Sequence, residues 1–415
     1  MADFSYIPVI ALGIVFVLII TRKVGGFRVK IWQAMLLGSV IVIATFQISI
    51  AEALASINLD VMFFLFGMFI VGAAMEKSGY LADVSHYFFG RARSVNQLIF
   101  LLLFIMGMLS ALLMNDTLAI IGTPVVLGLA KRHHIPPNLL LITLAFAVTT
   151  GSVLSPIGNP QNLLVVTQGG LQSPFVTFLQ YLLVPTLINL LLAFIFLRIY
   201  YRKEFAALDV TSEESIPNDS RLVNLSKLSL VIVFFLILVK VALIFLLPSF
   251  EFRLTYIAII ACIPILALSN RRIEIVRSID WATLVFFASM FILMTSVWNS
   301  GVMQTLVEDY DGVISTVPIV LTLSILLSQV LSNVPLVALY LPLLAETSGG
   351  LVSYIALAAG STIAGNMFIL GAASNVIIIQ NAEKNGESLT FWEFARIGVP
   401  LTACQALVLA AFLLL

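Results

Sequence analysis

The chain has 415 residues, 61% hydrophobic and only 10% charged, with zero formal net charge and a mean hydropathy of +1.11. Soluble domains of this length do not carry such a composition, so the sequence is that of a polytopic membrane protein. The charge balance argues against a nucleic-acid partner. The two cysteines, Cys262 and Cys404, offer neither a metal-ligand spacing nor a disulfide framework.

The opening MADFSYIPVI lacks the basic region of a secretory signal, which predicts that the first apolar segment stays as a span. Segments able to cross a hydrocarbon core of about 30 Å fall near 6–21, 31–50 and 61–76. The apolar region 97–130 is interrupted by MNDT, leaving two flanks short for full crossings; it predicts a re-entrant hairpin with its tip near the midplane. The run 138–168 is longer than a crossing needs and contains SPIGNPQN, which predicts a discontinuous helix. After a span near 175–200 comes the one long polar stretch, RKEFAALDVTSEESIPNDSRL, read as a linker over 202–226. Further spans fall near 228–248, 253–269 and 281–299. A second hairpin over 317–345 is interrupted by LSNVP, a second broken helix over 351–382 by GAASN, and a last span lies near 390–415.

Ten crossings with the N-terminus outside place 19 of the 21 basic residues on the cytoplasmic side, the 202–226 linker included. Arg253 then lies outside and Lys240 within a span. This predicts a multi-pass protein of the plasma (inner) membrane, with the lipid bilayer as its surroundings.

Four motifs recur in order at nearly constant offset. GMFIVGAAMEKSG (67–79) pairs with SMFILMTSVWNSG (289–301), and NDTLAIIGTP (115–124) with NVPLVALYLP (333–342). GNPQNLL (158–164) pairs with GAASNVI (371–377), and YLLVP (181–185) with RIGVP (396–400). The pattern indicates a duplication, and five crossings per copy require the second copy to enter the membrane upside down. The predicted fold is therefore an all-α polytopic membrane protein of about ten transmembrane helices in two inverted five-helix repeats, 1–201 and 227–415. Each repeat carries a re-entrant hairpin and a broken helix. That architecture belongs to secondary transporters, whose sites lie at the repeat interface near the midplane. The breaks free backbone carbonyls and half-helix amides, which can replace the hydration shell of a small ion.

The segments MNDTLAIIGTP, SPIGNPQNLLV, LSNVPLVALYLP and GAASNVIIIQNAEKNG resemble the ion transporter superfamily over essentially the whole chain. That superfamily includes divalent anion/sodium symporters, citrate-transporter-like permeases, and the arsenite permease and sodium–proton antiporter branch. The resemblance implies an elevator motion and a homodimer, with the spans near 31–50 and 228–248 as scaffold. In the symporter branch each tip resembles a Ser-Asn-Thr signature. Here Ser332 and Asn333 are followed by Val334 and Pro335, and Met114 by Asn115, Asp116 and Thr117. An Asn-Asp tip is more similar to the arsenite and antiporter branch.

A carboxylate at bilayer depth is expensive, which makes Asp116 the candidate for holding a coupling cation or proton. A tip that reaches water, or a carboxylate capping the second half-helix, are the alternatives, and capping is compatible with cation binding. Sodium prefers oxygen ligands, and its candidates are Asn115, Asp116 and Gly158 at the first tip and break. Ser332, Asn333, Gly371 and Asn375 form a neutral set for a second cation or for substrate. The substrate candidates are Thr117, Asn159, Asn162, Ser332, Asn333, Ser374 and Asn375. Thr149, Thr150, Ser152 and Ser155 either line the pocket or bond to their own helix. Lys240 reads as a snorkelling or paired scaffold lysine, and His133 and His134 as a solvated turn. Nothing resembles a phosphate-binding loop, and no enzyme chemistry is indicated. The expected function is secondary transport of a small anion, with sodium or a proton as coupling ion and no other cofactor. The alternatives are sodium–proton antiport through Asp116, arsenite or antimonite efflux, and a channel.

Overall fold

A computed structural model describes residues 5–21, 23–24, 27–80, 89, 92, 94–206, 220–246, 252–302, 305, 313–347 and 349–415. The first half runs α1 (Ile7–Thr21), α2 (Ile31–Ala44), α3 (Ile50–Ser56), α4 (Leu59–Ser78), α5 (Val95–Leu113), α6 (Asn115–His133), α7 (Pro137–Ser152), α8 (Pro160–Gln168), α9 (Pro174–Tyr200) and α10 (Arg202–Ala206). The second runs α11 (Ser220–Leu246), α12 (Leu254–Leu268), α13 (Arg272–Ser278), α14 (Trp281–Asn299), α15 (Val317–Leu331), α16 (Asn333–Glu346), α17 (Leu351–Ile363), α18 (Ala373–Lys384) and α19 (Phe391–Leu413). A two-residue antiparallel ladder, Lys23–Val24 with Phe27–Arg28, closes the basic loop after α1.

Among the described residues six helices are long and apolar enough to cross a membrane alone: α4, α5, α9, α11, α14 and α19. α1, α2, α7, α12, α15, α16 and α17 are shorter apolar helices, and α3, α10 and α13 are short helices of five to seven residues. α5 is the first arm of the first hairpin and at 19 residues is longer than the short flank expected there. Two boundaries also differ from the sequence expectation. The run 31–50 stops as a helix at Ala44, where Phe46 turns to φ +57° and the Gln47 amide closes back on the Val42 carbonyl at 2.9 Å, and Ser49 and Glu52 then form a capping box that starts α3. Ser49 Oγ accepts the Glu52 amide at 3.2 Å, and the Glu52 carboxylate accepts the Ser49 amide at 3.0 Å. The linker expected over 202–226 is helical at both ends, in α10 and in the first turns of α11. Its middle, 207–219, lies outside the described residues, as do Arg22, Arg91 and Arg93 of the charge argument.

Packing partners recur between the halves. α2 lies on α14 while α4 lies on α12; α5 packs on α7 as α15 does on α17; α9 and α19 pack on each other. Both ends of α4 are tied to the second half. At one end Arg253 pairs with Asp60 at 3.3 Å and Thr255 donates to Asp60 at 2.9 Å. At the other, Glu274 bonds Arg271 at 2.8 Å and Lys77 at 3.0 Å. The guanidinium and the ammonium hold the Glu274 carboxyl down at about 2. These groups are partly exposed, so they fix orientation more than they stabilise. The outward faces of α1 and α11 stay apolar, with Ile10, Ile14, Phe234, Phe235 and Leu238 exposed. An apolar perimeter of that extent suits hydrocarbon, where the helices satisfy their own backbone.

Candidate functional site

Each hairpin turns on a single residue held at positive φ. Met114 has φ +70° and ψ 141°, and Ser332 has φ +66° and ψ 156°. Neither is glycine, and such conformations cost on the order of 1–3 kcal/mol each, a cost that clusters at functional sites. The turn starts a new half-helix at Asn115 in one hairpin and at Asn333 in the other. Asn115, Asp116, Thr117 and Asn333 are all buried. The Asn115 amide N–H donates to the Gly158 carbonyl at 2.9 Å, which docks the first tip onto the first break. Asn115 Oδ1 accepts the Asp116 amide at 2.9 Å. Among the described residues no cation is paired with Asp116. Thr117 lies against Gly72 of α4, where a Cβ would run into its methyl group.

The first break spans 153–159. Asn159 caps α8, its Oδ1 accepting the Asn162 amide at 2.8 Å, and Pro160 stands at the first helical position. Asn159 Nδ2 donates to Ser152 Oγ and to Thr362 Oγ1, both at 3.1 Å. Asn162 Nδ2 donates to the carbonyls of Ser152 at 3.1 Å and Ser155 at 3.0 Å, while its Oδ1 accepts from Thr362 at 3.2 Å. The Asn162 amide is therefore committed to carbonyls that the break has freed. In this conformation Asn159 and Asn162 brace the loop rather than present open groups. A Cβ on Gly158 would run into the Ser152 carbonyl, so this close return of the chain requires glycine.

The second break is built differently. Two short 3₁₀ turns, Ala364–Asn366 and Ile369–Gly371, lead to α18, which has no side-chain cap. Gln329 Nε2 of α15 donates to the Ala364 carbonyl at 2.9 Å, and Asn375 Nδ2 to the Gly365 carbonyl at 2.6 Å. Several buried oxygens have no partner among the described residues: Asn333 Oδ1, Ser374 Oγ, Asn375 Oδ1, Gln329 Oε1 and, at the first tip, Thr117 Oγ1. A Cβ on Gly371 would stand 2.7 Å from Gln329 Oε1. Ser332 is half-buried at the tip itself.

The two sets are brought together by crossed packing. α6 lies on α18, and α16 lies on α8, so each tip's second arm meets the other half's broken helix. The crossed packing puts the arms and broken helices that carry the one carboxylate and the neutral oxygens against one another, and the Asn115–Gly158 bond joins the first tip to the first break. Half-helix amides favour negative charge, and oxygens of this kind favour a hard cation. Among the described residues no three His, Cys, Asp or Glu side chains group as a metal-binding cluster.

Sequence reasoning missed Thr362, Asn366, Gln405 and Gln329. Asn366 Nδ2 donates to Thr150 Oγ1 and Gln405 Oε1, both at 2.9 Å, and Gln405 Nε2 reaches Thr150 at 3.2 Å. The available signal was a lone amide in an otherwise apolar helix, as in TACQALVLAAF. Of the other candidates, Lys240 donates to the Phe252 carbonyl, His133 is buried at the end of α6 and His134 ends that helix in the left-handed region.

The sequence model of the citrate transporter family, CitMHS, matches residues 16–359. An uncharacterized transporter of Mycobacterium tuberculosis is 29% identical over 376 residues, which cover 86% of each chain. The silicon efflux transporter of Oryza sativa subsp. japonica is 25% identical over 465 residues, covering 95% of this chain and 94% of that one. Among solved structures, the YdaH transporter of Alcanivorax borkumensis superposes with a TM-score of 0.61 at 15% identity, over 99% of this chain and 96% of that one.

Proposed function

The chain belongs to the citrate transporter family, and on that premise we propose an ion-coupled secondary transporter of a small anion, working by alternating access with Asp116 at the coupling-ion site. It is a multi-pass membrane transporter and not an enzyme. The observation that carries the proposal is Asp116, among the described residues the single buried carboxylate and one without a cationic partner, in the first turn of a half-helix docked on the first break. Sodium takes Asp116, Asn115 and the carbonyls around Gly158; a proton on Asp116 serves the same coupling. Asn333, Ser374 and Asn375, with Ser332 at the tip, have oxygens available for a second cation or for substrate. The repeated elements support an inverted duplication, the hairpins and breaks moving as an elevator against a frame in a homodimer of the inner membrane.

A second reading has a specific observation behind it. No residue of 113–118, 152–163, 331–336 or 363–376 is Lys, Arg or His, so a full negative charge would rest on amides and helix dipoles alone. A neutral hydroxylated acid asks less of such a site, and one similar protein is a silicon efflux transporter. Sodium–proton antiport through Asp116 alone is the simplest form of the same coupling.

Proteoliposomes with sodium and pH gradients imposed separately decide among these readings. Organic acids, sulfate, phosphate and arsenite are offered in turn. Uptake of an anion driven by either gradient supports the proposal; gradient-insensitive flux of every solute sinks it. Topology is tested with cysteines at Gln172 and Glu346, expected to react with an impermeant reagent from outside, and at Lys131 and Lys203, expected to react only from inside. The opposite pattern at one hairpin alone overturns the inverted arrangement.

A further inference from the structure

A groove of about 520 Å³ opens where α5 begins and α9 ends, lined by Asn96, Phe194, Ile195, Arg198, Ile199 and Arg202. Arg198 in the last turn of α9 and Arg202 at the start of α10 flank the bend at Tyr201, both exposed, and among the described residues neither has an ion-pair partner. Asn96 sits in the first turn of the 19-residue α5, whose N-terminal end adds partial positive charge. Its Oδ1 is buried without a partner among the described residues, an acceptor that calls for a hydroxyl or amine donor. Above the arginines, Leu183, Leu187, Leu191, Ile195 and Ile199 form an exposed apolar stripe at helical spacing along α9. Phe194 closes the groove wall, meeting Phe100 and Phe205 edge-on with ring centroids 5.6 and 6.2 Å apart.

Two guanidinium forks, one hydrogen-bond acceptor and a hydrocarbon-facing stripe meet where α9 leaves its apolar span. A groove of equal size beside Lys77, Arg271 and Arg277 lacks this character, because Glu274 already occupies Lys77 and Arg271. We propose that the α5–α9 groove binds an anionic phospholipid with a hydroxylated headgroup. Arg198 and Arg202 hold the phosphodiester, Asn96 accepts from a headgroup hydroxyl, and an acyl chain lies along Leu187, Leu191 and Ile195. The occupant is a lipid rather than a free anion because the charged end opens directly onto the stripe.

The test uses the full chain, delipidated in detergent, with phosphatidylglycerol, phosphatidic acid, phosphatidylcholine or inorganic phosphate added. Native mass spectrometry reads the bound lipid and thermal unfolding reads its effect. Phosphatidylglycerol is expected to be retained and to raise Tm, while phosphatidylcholine and inorganic phosphate do neither. Arg198→Gln with Arg202→Gln should weaken phosphatidylglycerol about tenfold or more, with Tm in lipid-free detergent unchanged. Lys131→Gln with Lys384→Gln removes equal charge elsewhere and should leave binding intact. Asn96→Ala should abolish the preference for phosphatidylglycerol over phosphatidic acid. If the double variant misfolds, Arg202→Gln alone gives the same reading with a smaller loss. The proposal is overturned if phosphatidylcholine binds equally, if inorganic phosphate reproduces the Tm shift, or if the charge-matched control loses as much as the arginine variant.

Discussion

Met114 and Ser332 turn their hairpins with nearly the same dihedrals, yet the residues that follow are Asn-Asp-Thr at one tip and Asn-Val-Pro at the other. The shared backbone answers a shared demand: two half-helices must meet within one residue inside the protein, with their N–H groups pointed at the site. The side chains answer a different one. The first tip is fastened by its backbone to Gly158 and carries the carboxylate. The second is held from its flank, through Gln329 and the Ala364 carbonyl, and leaves neutral oxygens open. The breaks follow the same division, since Asn162 is fully bonded while Asn375 keeps a free Oδ1. A second buried carboxylate would add desolvation and like-charge repulsion. Duplicated geometry with a single charge therefore suits one strong cation position and one weaker, adaptable face.

The largest expected effect comes from erasing that charge. Asp116→Asn keeps size and should abolish gradient-driven transport in proteoliposomes, with insertion and yield near wild type. Transport that kept its sodium and pH dependence would show that the tips do not differ in the way proposed.

Next is the contrast between the two glycines. A methyl on Gly158 meets the Ser152 backbone, whereas on Gly371 its nearest neighbour is the amide end of Gln329, with the Ala364 carbonyl at 2.9 Å. Gly158→Ala should lower stability by about 3 kcal/mol and Gly371→Ala by about 1 kcal/mol, read as thermal unfolding of the purified proteins. Equal losses would mean that the second break is as rigidly built as the first.

The asparagine pair separates bracing from binding. Asn162→Leu strands two carbonyls and should cost about 1–3 kcal/mol of stability. Asn375→Leu strands one carbonyl, that of Gly365, and should chiefly weaken apparent substrate affinity by roughly five- to a hundred-fold, a change of about 1–3 kcal/mol, with a smaller loss of stability than Asn162→Leu. If both variants lose transport in proportion to protein recovered, both asparagines are structural.

Smallest of all is Thr347→Ala, at the outer end of the second hairpin, where among the described residues the hydroxyl bonds only its own helix at Leu343. Transport and Tm should stay within error of wild type. A marked loss would extend the site well beyond the tip.

Much of this arrangement was legible in one dimension. Uninterrupted apolar length marks a crossing, and MNDT, SPIGNPQN, LSNVP and GAASN mark places where a helix cannot continue. The recurrence of those marks located both hairpins, both breaks and the residues Asn115, Asp116, Asn333 and Asn375. Hydropathy alone misplaces a boundary, because the left-handed Phe46 ends α2 and the Ser49–Glu52 capping box starts α3 inside an apolar run that looks continuous. What one dimension could not assign was partnership. Asn159, Asn162 and Gln161 meet Thr362 from about two hundred residues away, and Asn366 and Gln405 meet Thr150 across the two halves. A buried amide must find a partner somewhere, so its presence in an apolar segment signals a need. Which group meets that need, and whether an asparagine braces a loop or offers an open oxygen, depended on the crossed packing of α6 on α18 and α16 on α8. Periodicity and breaks are properties of neighbouring residues and are written locally; satisfaction of polar groups is a property of contacts and exists only after the chain has folded.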